Sequence, residues 1–389
     1  MARIALPSLA HGPAEGEHSG IREISNQALL TPGAIRLDVG QPNFPTPAHI
    51  SEAGKRAIDE HKTYYTHTQG MLSLREQLVA KLARVNGIKS STERIAIGPG
   101  GVGAIAAALA SVLEPGDEVL VPDPGWPNFR MMMAWTSTRA VLYPCPPSAG
   151  FQPDLDALEA LVTPRTKVLI VNSPNNPTGA VYPPATIAAM VEIAQRRNLW
   201  LLSDECYDQI LLDGSWTSPA HLVPDDPRIM TVFTFSKTYS MTGWRIGYVT
   251  GSAELIDTAT KVLESNSSCV STISQVAAEA ALVGPQDCVG EMVAAYRQRR
   301  DIVVEILKEA ELFIAEPAGA FYCMADVSPS GLQAREFASS LLREKGVSVA
   351  PGTAFGEVAR GAVRISLASS EDDLKEGVTR LVQFVHRRA

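Results

Sequence analysis

The chain has 389 residues, of which 45% are hydrophobic and 20% charged, a composition that is ordinary for a globular protein. Its length exceeds what one compact core usually serves, which predicts two domains or one large domain with an appendage. The formal net charge of −8 argues against proteins that bind nucleic acid or an anionic membrane surface, because both need a basic face.

Cysteines and histidines are scattered along the chain. The five cysteines are odd in number and form no Cys-x-x-Cys pair, a pattern typical of a reducing compartment rather than of a disulfide framework. The seven histidines show no spacing typical of metal ligands, and the most apolar stretch, 101–113, is too short to cross a bilayer. We therefore expect a cytoplasmic protein with no metal ion and with no nucleic-acid or membrane partner.

The first 45 residues are rich in Gly, Pro and His, which predicts an extended N-terminal arm that also supplies part of a small domain. Its opening apolar run is short and is broken by Pro7, so a mobile arm is expected rather than a signal peptide. Helices are predicted next, one from about Ile50 and another on which Leu74, Leu78 and Leu82 repeat at helical spacing.

The middle of the chain alternates short apolar runs with helical segments. Strands that are apolar on both faces and separated by helices predict a mostly parallel central sheet covered by helices, as in α/β proteins. The runs are 94–97, 118–121, 167–171, 199–202 and 230–233.

The pattern changes near Pro285, after which a small α+β domain is predicted. It would contain a long helix at 291–309, a helix at 334–345, a closing helix at 371–388, and strands at 320–324, 347–349 and 362–366. The predicted division is an arm with part of the small domain at 1–45, a large cofactor-binding domain at 46–285, and a small C-terminal domain at 286–389.

Unusual polar residues follow three consecutive predicted strands, where ligands bind in open parallel sheets. Asn176 lies in the first loop, Asp204 and Tyr207 in the second, and Lys237 in the third. Each also has a structural interpretation: Asn176 belongs to a good turn, Asp204 could cap a helix, Tyr207 could be a core aromatic, and Lys237 could be solvated. Together they favour an imine-forming lysine beside an amide, a carboxylate and a phenol.

Three further features surround these loops. The segment 98–103 has the Gly-x-Gly-x-x-Gly spacing, which suits a dinucleotide, or any phosphate held at a helix N-terminus. Trp126 is either a core residue or a surface on which an aromatic ring stacks. Arg364, inside an apolar strand, needs either a substrate carboxylate or an internal salt bridge.

Four segments resemble the class I and II aminotransferases of pyridoxal-phosphate fold type I, within the bacterial aspartate-type branch. The likeness runs in order from about Leu37 to the C-terminus. It implies the fold of that transferase group, pyridoxal 5'-phosphate as cofactor, a homodimer, and an amino acid and a 2-oxo acid as substrates. The segments are 173–179, 203–207, 236–245 and 362–366.

The resemblance also implies catalytic roles. Lys237 would hold the cofactor aldehyde as an imine and later move a proton between the substrate α-carbon and the cofactor. Asp204 would keep the pyridine nitrogen protonated, so that the ring accepts electrons. Tyr207 and Asn176 would hydrogen-bond the ring's phenolic oxygen and lower the pKa of the imine.

Binding roles follow from the same resemblance. Trp126 would stack on the cofactor ring and, like Asn176, border the substrate. Tyr65 would reach the phosphate in the neighbouring subunit, which implies sites shared across a dimer. Arg364 and the Gly40 backbone would bind the substrate α-carboxylate. The cofactor phosphate would be held by the backbone amides of Gly101 and Val102 and by Thr234, Ser236 and Arg245.

The chain departs from this branch near the substrate. Relatives commonly have Gly-Glu-Pro-Asp-Phe where this chain has Gly40-Gln41-Pro42-Asn43-Phe44. In that branch a lysine often follows the glycine pair and contacts the substrate's second carboxylate. This chain has Val102 at that position. The missing cation weakens the expectation of an acidic amino donor.

Three hypotheses follow. The first is an aminotransferase that moves an amino group from an L-amino acid to a 2-oxo acid in two half-reactions. The second is a pyridoxal-phosphate lyase or decarboxylase, since the bond that breaks depends on its orientation to the ring. The third is a non-enzymatic binding module on the same scaffold, which the intact set of polar residues disfavours.

Overall fold

The computed structural model describes residues 19–388, which form two β-sheets with helices packed around each. The strands, numbered in chain order, are β1 Ile35–Leu37, β2 Ile95–Gly98, β3 Glu118–Asp123, β4 Arg139–Pro144, β5 Thr166–Asn172, β6 Trp200–Asp204, β7 Ile229–Thr234, β8 Gly247–Thr250, β9 Tyr322–Asp326, β10 Val347–Pro351 and β11 Ala362–Ser366.

The α-helices of the described residues vary from one turn to 23 residues. In chain order they are α1 Gly20–Leu29, α2 Ala48–Asp59, α3 Leu72–Lys81, α4 Gly100–Ala110, α5 Pro127–Thr136, α6 Leu155–Ala160, α7 Pro184–Arg196, α8 Pro219–Leu222, α9 Phe235–Thr238, α10 Ala253–Ser267, α11 Thr272–Val283, α12 Asp287–Glu309, α13 Ala334–Lys345 and α14 Glu371–His386.

The central sheet has seven strands in the order β2-β8-β7-β6-β5-β3-β4. Strands β3 to β7 run parallel, while β8 is antiparallel to both of its neighbours. The carboxyl ends of β3, β5, β6 and β7 therefore lie along one edge of the sheet, and the loops that follow them meet there.

Successive residues of the central strands belong to different hydrophobic cores. In β5, Val168 and Ile170 pack with α4 and α10 on one face, while Leu169 and Val171 pack with α7 on the other. All four side chains are buried because side chains alternate between the faces of a strand and helices cover both faces. This burial explains why the strands read as continuous apolar runs.

The second sheet has four strands in the order β1-β10-β11-β9, with β1 parallel to β10 and the other pairs antiparallel. Its core is shared with α12, α13 and α14. Strand β1 comes from the N-terminal segment and enters this sheet across more than 300 residues of chain. The two sheets place Arg364, on β11, within reach of the loops of the central sheet.

The expected α/β fold is confirmed, with a large, mostly parallel sheet and a smaller α+β unit. The extended arm is a wrong interpretation for residues 19–45, because α1 and β1 lie there. Its first 18 residues lie outside the described part of the chain. The domain boundaries after residues 45 and 285 stay predictions.

Two strands of the central sheet were not expected from the sequence. Strand β4 is an edge strand that begins at the exposed Arg139, and β8 has only four residues, one of which is a glycine. Neither gives the continuous apolar run of a central parallel strand. Antiparallel β8 can be short because it is hydrogen-bonded on both sides, by β2 and β7.

Over residues 19–388, no helix is long and apolar enough to cross a bilayer. The same residues contain no cluster of three or more His, Cys, Asp or Glu side chains that could hold a metal ion.

Candidate active site

A cavity of about 680 Å³ lies at the carboxyl edge of the central sheet. The predicted site residues line it with one exception, since Tyr65 is not among them and is 89% exposed. The structure thus brings together residues that are up to 324 positions apart in the chain. The predicted residues in the cavity are Gly40, Gly101, Val102, Trp126, Asn176, Asp204, Tyr207, Thr234, Ser236, Lys237, Arg245 and Arg364.

Lys237 lies in the one-turn helix α9, directly after β7. Thr234 caps that helix by accepting a hydrogen bond from the Ser236 amide at 3.2 Å. Its Nζ donates to the carbonyl oxygen of Gly40 at 2.6 Å. Burial lowers the pKa of Lys237 to about 8, and the nearby guanidinium of Arg364 acts in the same direction. The amine is therefore available as a neutral nucleophile near physiological pH.

Asp204 ends β6 at the cavity and is 3% exposed. Its Oδ1 accepts the backbone amide of Cys206 at 3.1 Å, and residues 19–388 give it no ion pair. Burial raises the pKa of this carboxyl group above its ordinary value. The cap of a following helix is a wrong interpretation, because only turns follow β6. A buried carboxylate without a cation suits a ligand that carries the positive charge.

Tyr207 is buried and packs edge-on against Phe321. Its hydroxyl lies 2.8 Å from the hydroxyl of Tyr322, the first residue of β9. Burial raises the pKa of Tyr207 well above its ordinary value, so the phenol stays protonated at neutral pH and can donate.

Arg364 is 2% exposed and lies between two aromatic rings, 4.3 Å from the centroid of Tyr322 and 4.9 Å from that of Phe355. It donates to Asn176 Oδ1 at 2.8 Å and to the carbonyl oxygen of Asp38 at 2.6 Å. Its partners in the described chain are neutral acceptors, and its buried Nε has no partner there. The internal salt bridge considered from the sequence is therefore wrong, and the guanidinium keeps its capacity for a carboxylate.

A cup of hydrogen-bond donors lies at the N-terminus of α4. Gly100 has φ +77°, and a Cβ at this position would collide with the guanidinium of Arg245. A Cβ at Gly101 would lie 3.0 Å from the Cys206 sulfur, so glycine lets the backbone approach closely here. The free N–H groups of the helix, the guanidinium of Arg245 and the Ser236 hydroxyl all face one cavity. These donors suit a phosphate.

Sequence reasoning missed several residues that line the same cavity. Tyr322 was assigned to a strand but not to the site, because nothing local marks which face its phenol takes. Asn172 had a usable signal, since it is the last residue of β5 and is followed by the predicted turn. The others include Ile21, Arg22, Val39, Gln41, Met131 and Cys206.

A buried lysine of lowered pKa and a buried carboxylate at the carboxyl edge of a seven-stranded sheet match the fold type I class of pyridoxal-phosphate enzymes. The family model for class I and II aminotransferases matches residues 32–381, and the chain belongs to this family. It is an aminotransferase, as the sequence predicted, and the lyase alternative and the non-enzymatic alternative are not favoured.

Named relatives agree with this family. The chain is 38% identical to a probable aspartate/prephenate aminotransferase of Thermus aquaticus, over 90% of this chain and 91% of that one. It is also 38% identical to an aspartate aminotransferase of Rhizobium meliloti, over 91% and 89%. The solved aspartate aminotransferase of Thermus thermophilus with maleate superposes with a TM-score of 0.93, at 36% identity, over 97% of this chain and 100% of that chain.

Proposed function

We propose that this aminotransferase binds pyridoxal 5'-phosphate in the cavity described above, with Lys237 as its point of attachment. The observation that carries the proposal is that one cavity is lined by a lysine whose pKa is lowered to about 8 and by a buried carboxylate that forms no ion pair within residues 19–388. The cup at α4 supports it, because its donors match the cofactor's phosphate.

The residues present fit the cofactor group by group. Asp204 would hold the proton on the ring nitrogen, since a pyridinium supplies the cation that this buried carboxylate lacks. Trp126, the N-cap residue of α5, lines the cavity and would offer its face to the ring. Asn176 uses its side-chain oxygen for Arg364, which leaves its amide N–H groups to donate to the ring's phenolic oxygen.

The bound cofactor supplies an aldehyde that joins the amino group and a ring that accepts the electron pair released at the α-carbon. Lys237 would then move the proton at the α-carbon, because a pKa of about 8 lets its amine both accept and release a proton near physiological pH, and the residue lines the same cavity. Arg364 binds the substrate α-carboxylate with its planar fork, and the rings on both sides keep that fork oriented.

A homodimer and a cytoplasmic location form part of the proposal. Tyr64 and Tyr65 are 79% and 89% exposed. Two adjacent aromatic side chains in solvent form an apolar patch that another subunit would cover. Tyr65 is then available to a neighbouring subunit's phosphate site. All five cysteines are unpaired, which supports a reducing compartment.

The two half-reactions provide the test of this function. Cofactor-loaded protein mixed with one amino acid alone should change from the aldehyde-derived absorbance to that of the amine form, and a 2-oxo acid should restore it. One equivalent of 2-oxo acid should be released in the first step. Release of ammonia or CO₂ without an acceptor would contradict the proposal, as would the absence of a borohydride-reducible cofactor bond to Lys237.

The proposed substrate preference rests on the side chains that line the cavity in which the amino acid would bind. Ile21, Val39, Val102 and Met131 line the cavity with apolar surface, whereas a dicarboxylate such as the maleate bound by the Thermus thermophilus relative needs a second cation. Arg22 lies at the cavity but is exposed, so its charge is solvated. We propose that apolar or aromatic amino acids are better donors than aspartate or glutamate.

Val102→Lys is expected to raise kcat/KM for aspartate about 10- to 100-fold relative to phenylalanine, because a charge-assisted contact contributes roughly 1.5–3 kcal/mol. Initial rates with both donors against a fixed 2-oxo acid measure the change. Arg22→Ala is the matched control and should leave the ratio within about threefold. A selective loss of aspartate turnover in Arg22→Ala would make Arg22 the second cation and overturn this preference.

A further inference from the structure

Two buried phenols meet at the cavity from opposite sheets. Tyr207 lies in the loop after β6 of the central sheet, and Tyr322 begins β9 of the small sheet. They are 4% and 1% exposed, and their hydroxyl oxygens are 2.8 Å apart. The ring centroids are 5.8 Å apart with an interplanar angle of 80°, so the contact is made by the hydroxyl groups rather than by stacked faces.

Tyr322 also supports the carboxylate-binding arginine. The Arg364 guanidinium lies 4.3 Å from the centroid of the Tyr322 ring. A Cβ at Gly40 would collide with the Tyr322 hydroxyl, and the Gly40 carbonyl accepts the hydrogen bond from Lys237 at 2.6 Å. One tyrosine therefore contacts Arg364 with its ring and Tyr207 with its hydroxyl, next to the backbone that holds the lysine.

The number of protons determines which way the pair can donate. Each phenol carries one proton, and within residues 19–388 the only hydrogen-bond partner of either hydroxyl is the other one. One proton therefore bridges the pair and one remains for a ligand in the cavity. If the Tyr207 hydroxyl donates its hydrogen bond to the cofactor's phenolic oxygen, its own oxygen can keep the 2.8 Å contact only by accepting a hydrogen bond from the Tyr322 hydroxyl.

We propose that Tyr322 is a positioning residue: its hydroxyl donates to Tyr207, and this fixes Tyr207 as the donor to the cofactor's phenolic oxygen. The inference rests on the proposed function, because it requires the cofactor in this cavity. A phenol that accepts one hydrogen bond becomes a stronger donor in the next, since linked hydrogen bonds polarise one another. The ring of Tyr322 supports Arg364 independently of the hydroxyl.

A double-mutant cycle with Tyr207→Phe, Tyr322→Phe and the double variant tests the proposal. The readout is the pH midpoint of the absorbance change of bound pyridoxal 5'-phosphate. Hydrogen bonds to the phenolic oxygen favour its anion, so losing one raises the midpoint. We expect an upward shift of about 1 pH unit for Tyr207→Phe and of roughly 0.5 for Tyr322→Phe. In the Tyr207→Phe background, Tyr322→Phe should add less than about 0.2.

Tyr322→Phe and Tyr322→Leu separate the hydroxyl from the ring. Tyr322→Phe keeps the ring under Arg364, so kcat should fall while the amino donor's KM stays within about twofold. Tyr322→Leu removes both contacts and should also raise that KM. A midpoint shift for Tyr322→Phe that is equal in both backgrounds would show that the hydroxyl acts without Tyr207 and would overturn the proposal. An unchanged midpoint would do the same.

Failure of this inference can be distinguished from failure of the proposed function. If Tyr207→Phe leaves the midpoint unchanged while Tyr322→Phe moves it, Tyr322 is the direct donor and the assigned order is reversed. If the parent protein shows no cofactor absorbance and no borohydride-reducible bond to Lys237, the proposed function itself is wrong. Thermal unfolding of each variant checks that the fold is kept.

Discussion

Replacing Lys237 with alanine is expected to reduce turnover by at least about 10⁴-fold, since one amine serves both as the attachment point and as the proton carrier. The cavity should still bind the cofactor, because the donors of the α4 cup and Asp204 remain. Steady-state kinetics measures the loss, and equilibrium dialysis of the cofactor measures retained binding. Borohydride treatment followed by peptide mapping should find no cofactor joined to the variant chain.

Lys261→Ala is the matched control. Lys261 is exposed and forms an i,i+4 ion pair with Asp257 on α10, so its loss should leave turnover within about twofold of the parent. Near-parental turnover of Lys237→Ala would remove this lysine from the mechanism. So would a borohydride-reducible cofactor bond to a different lysine in the parent protein.

Asp204→Ala is expected to cost roughly 3–5 kcal/mol in the activation barrier, or about 10²- to 10⁴-fold in kcat, because the ring nitrogen would lose its anionic partner. Asp204→Asn preserves the shape of the side chain and should lose nearly as much. The comparison assigns the effect to charge rather than to packing. A loss of less than about tenfold in both variants would contradict the role given to this carboxylate.

Asp204 is also predicted to affect the stability of the cofactor-free protein. There the carboxylate is unfavourable, whereas it favours catalysis in the loaded enzyme. Burial raises its pKa in the folded state, so the ionised carboxylate destabilises the empty protein. This cost begins as pH rises through the ordinary range of an aspartate and is complete above the raised pKa. At neutral pH, Asp204→Asn should therefore unfold at the same or a higher temperature than the parent when both lack cofactor.

Thermal denaturation of cofactor-free and cofactor-loaded protein measures both effects. The loaded parent should gain more in Tm over its empty form than loaded Asp204→Asn gains, because only the parent binds the pyridinium through an ion pair. Asp257→Asn, at an exposed position, should leave both values unchanged. A lower Tm for cofactor-free Asp204→Asn at neutral pH would contradict the assigned cost of the buried charge.

Much of the site could be predicted because parallel sheets obey a positional rule. Asn176, Asp204 and Lys237 each follow a buried apolar strand, and the carboxyl ends of parallel strands share an edge. Knowing where the strands end was therefore enough to expect the three groups in one place, before any contact between them was known. Arg364 was recognisable for another reason, since an arginine in an apolar strand requires a partner.

Other parts had no local signal. Strand β8 is short and contains a glycine, so its place between β2 and β7 follows from pairing and not from periodicity. Helix α1 lies in a segment whose composition predicted an extended arm. Its buried face includes Ile24, Ser25 and Ala28, and it packs against β10. Only contact with a distant part of the chain makes that helix favourable.

Local periodicity was enough to predict a mostly parallel α/β sheet, and the residues after its strands were enough to single out Lys237. The family followed from the resemblance of four short segments to the class I and II aminotransferases, because each segment is a short stretch of chain. The chain's three-dimensional folding was needed to bring the Lys237 amine to the Gly40 carbonyl and the Tyr322 hydroxyl to Tyr207, contacts that span 197 and 115 positions. The physical reason is that a side chain's partner depends on how separate elements pack, and no short segment specifies that packing.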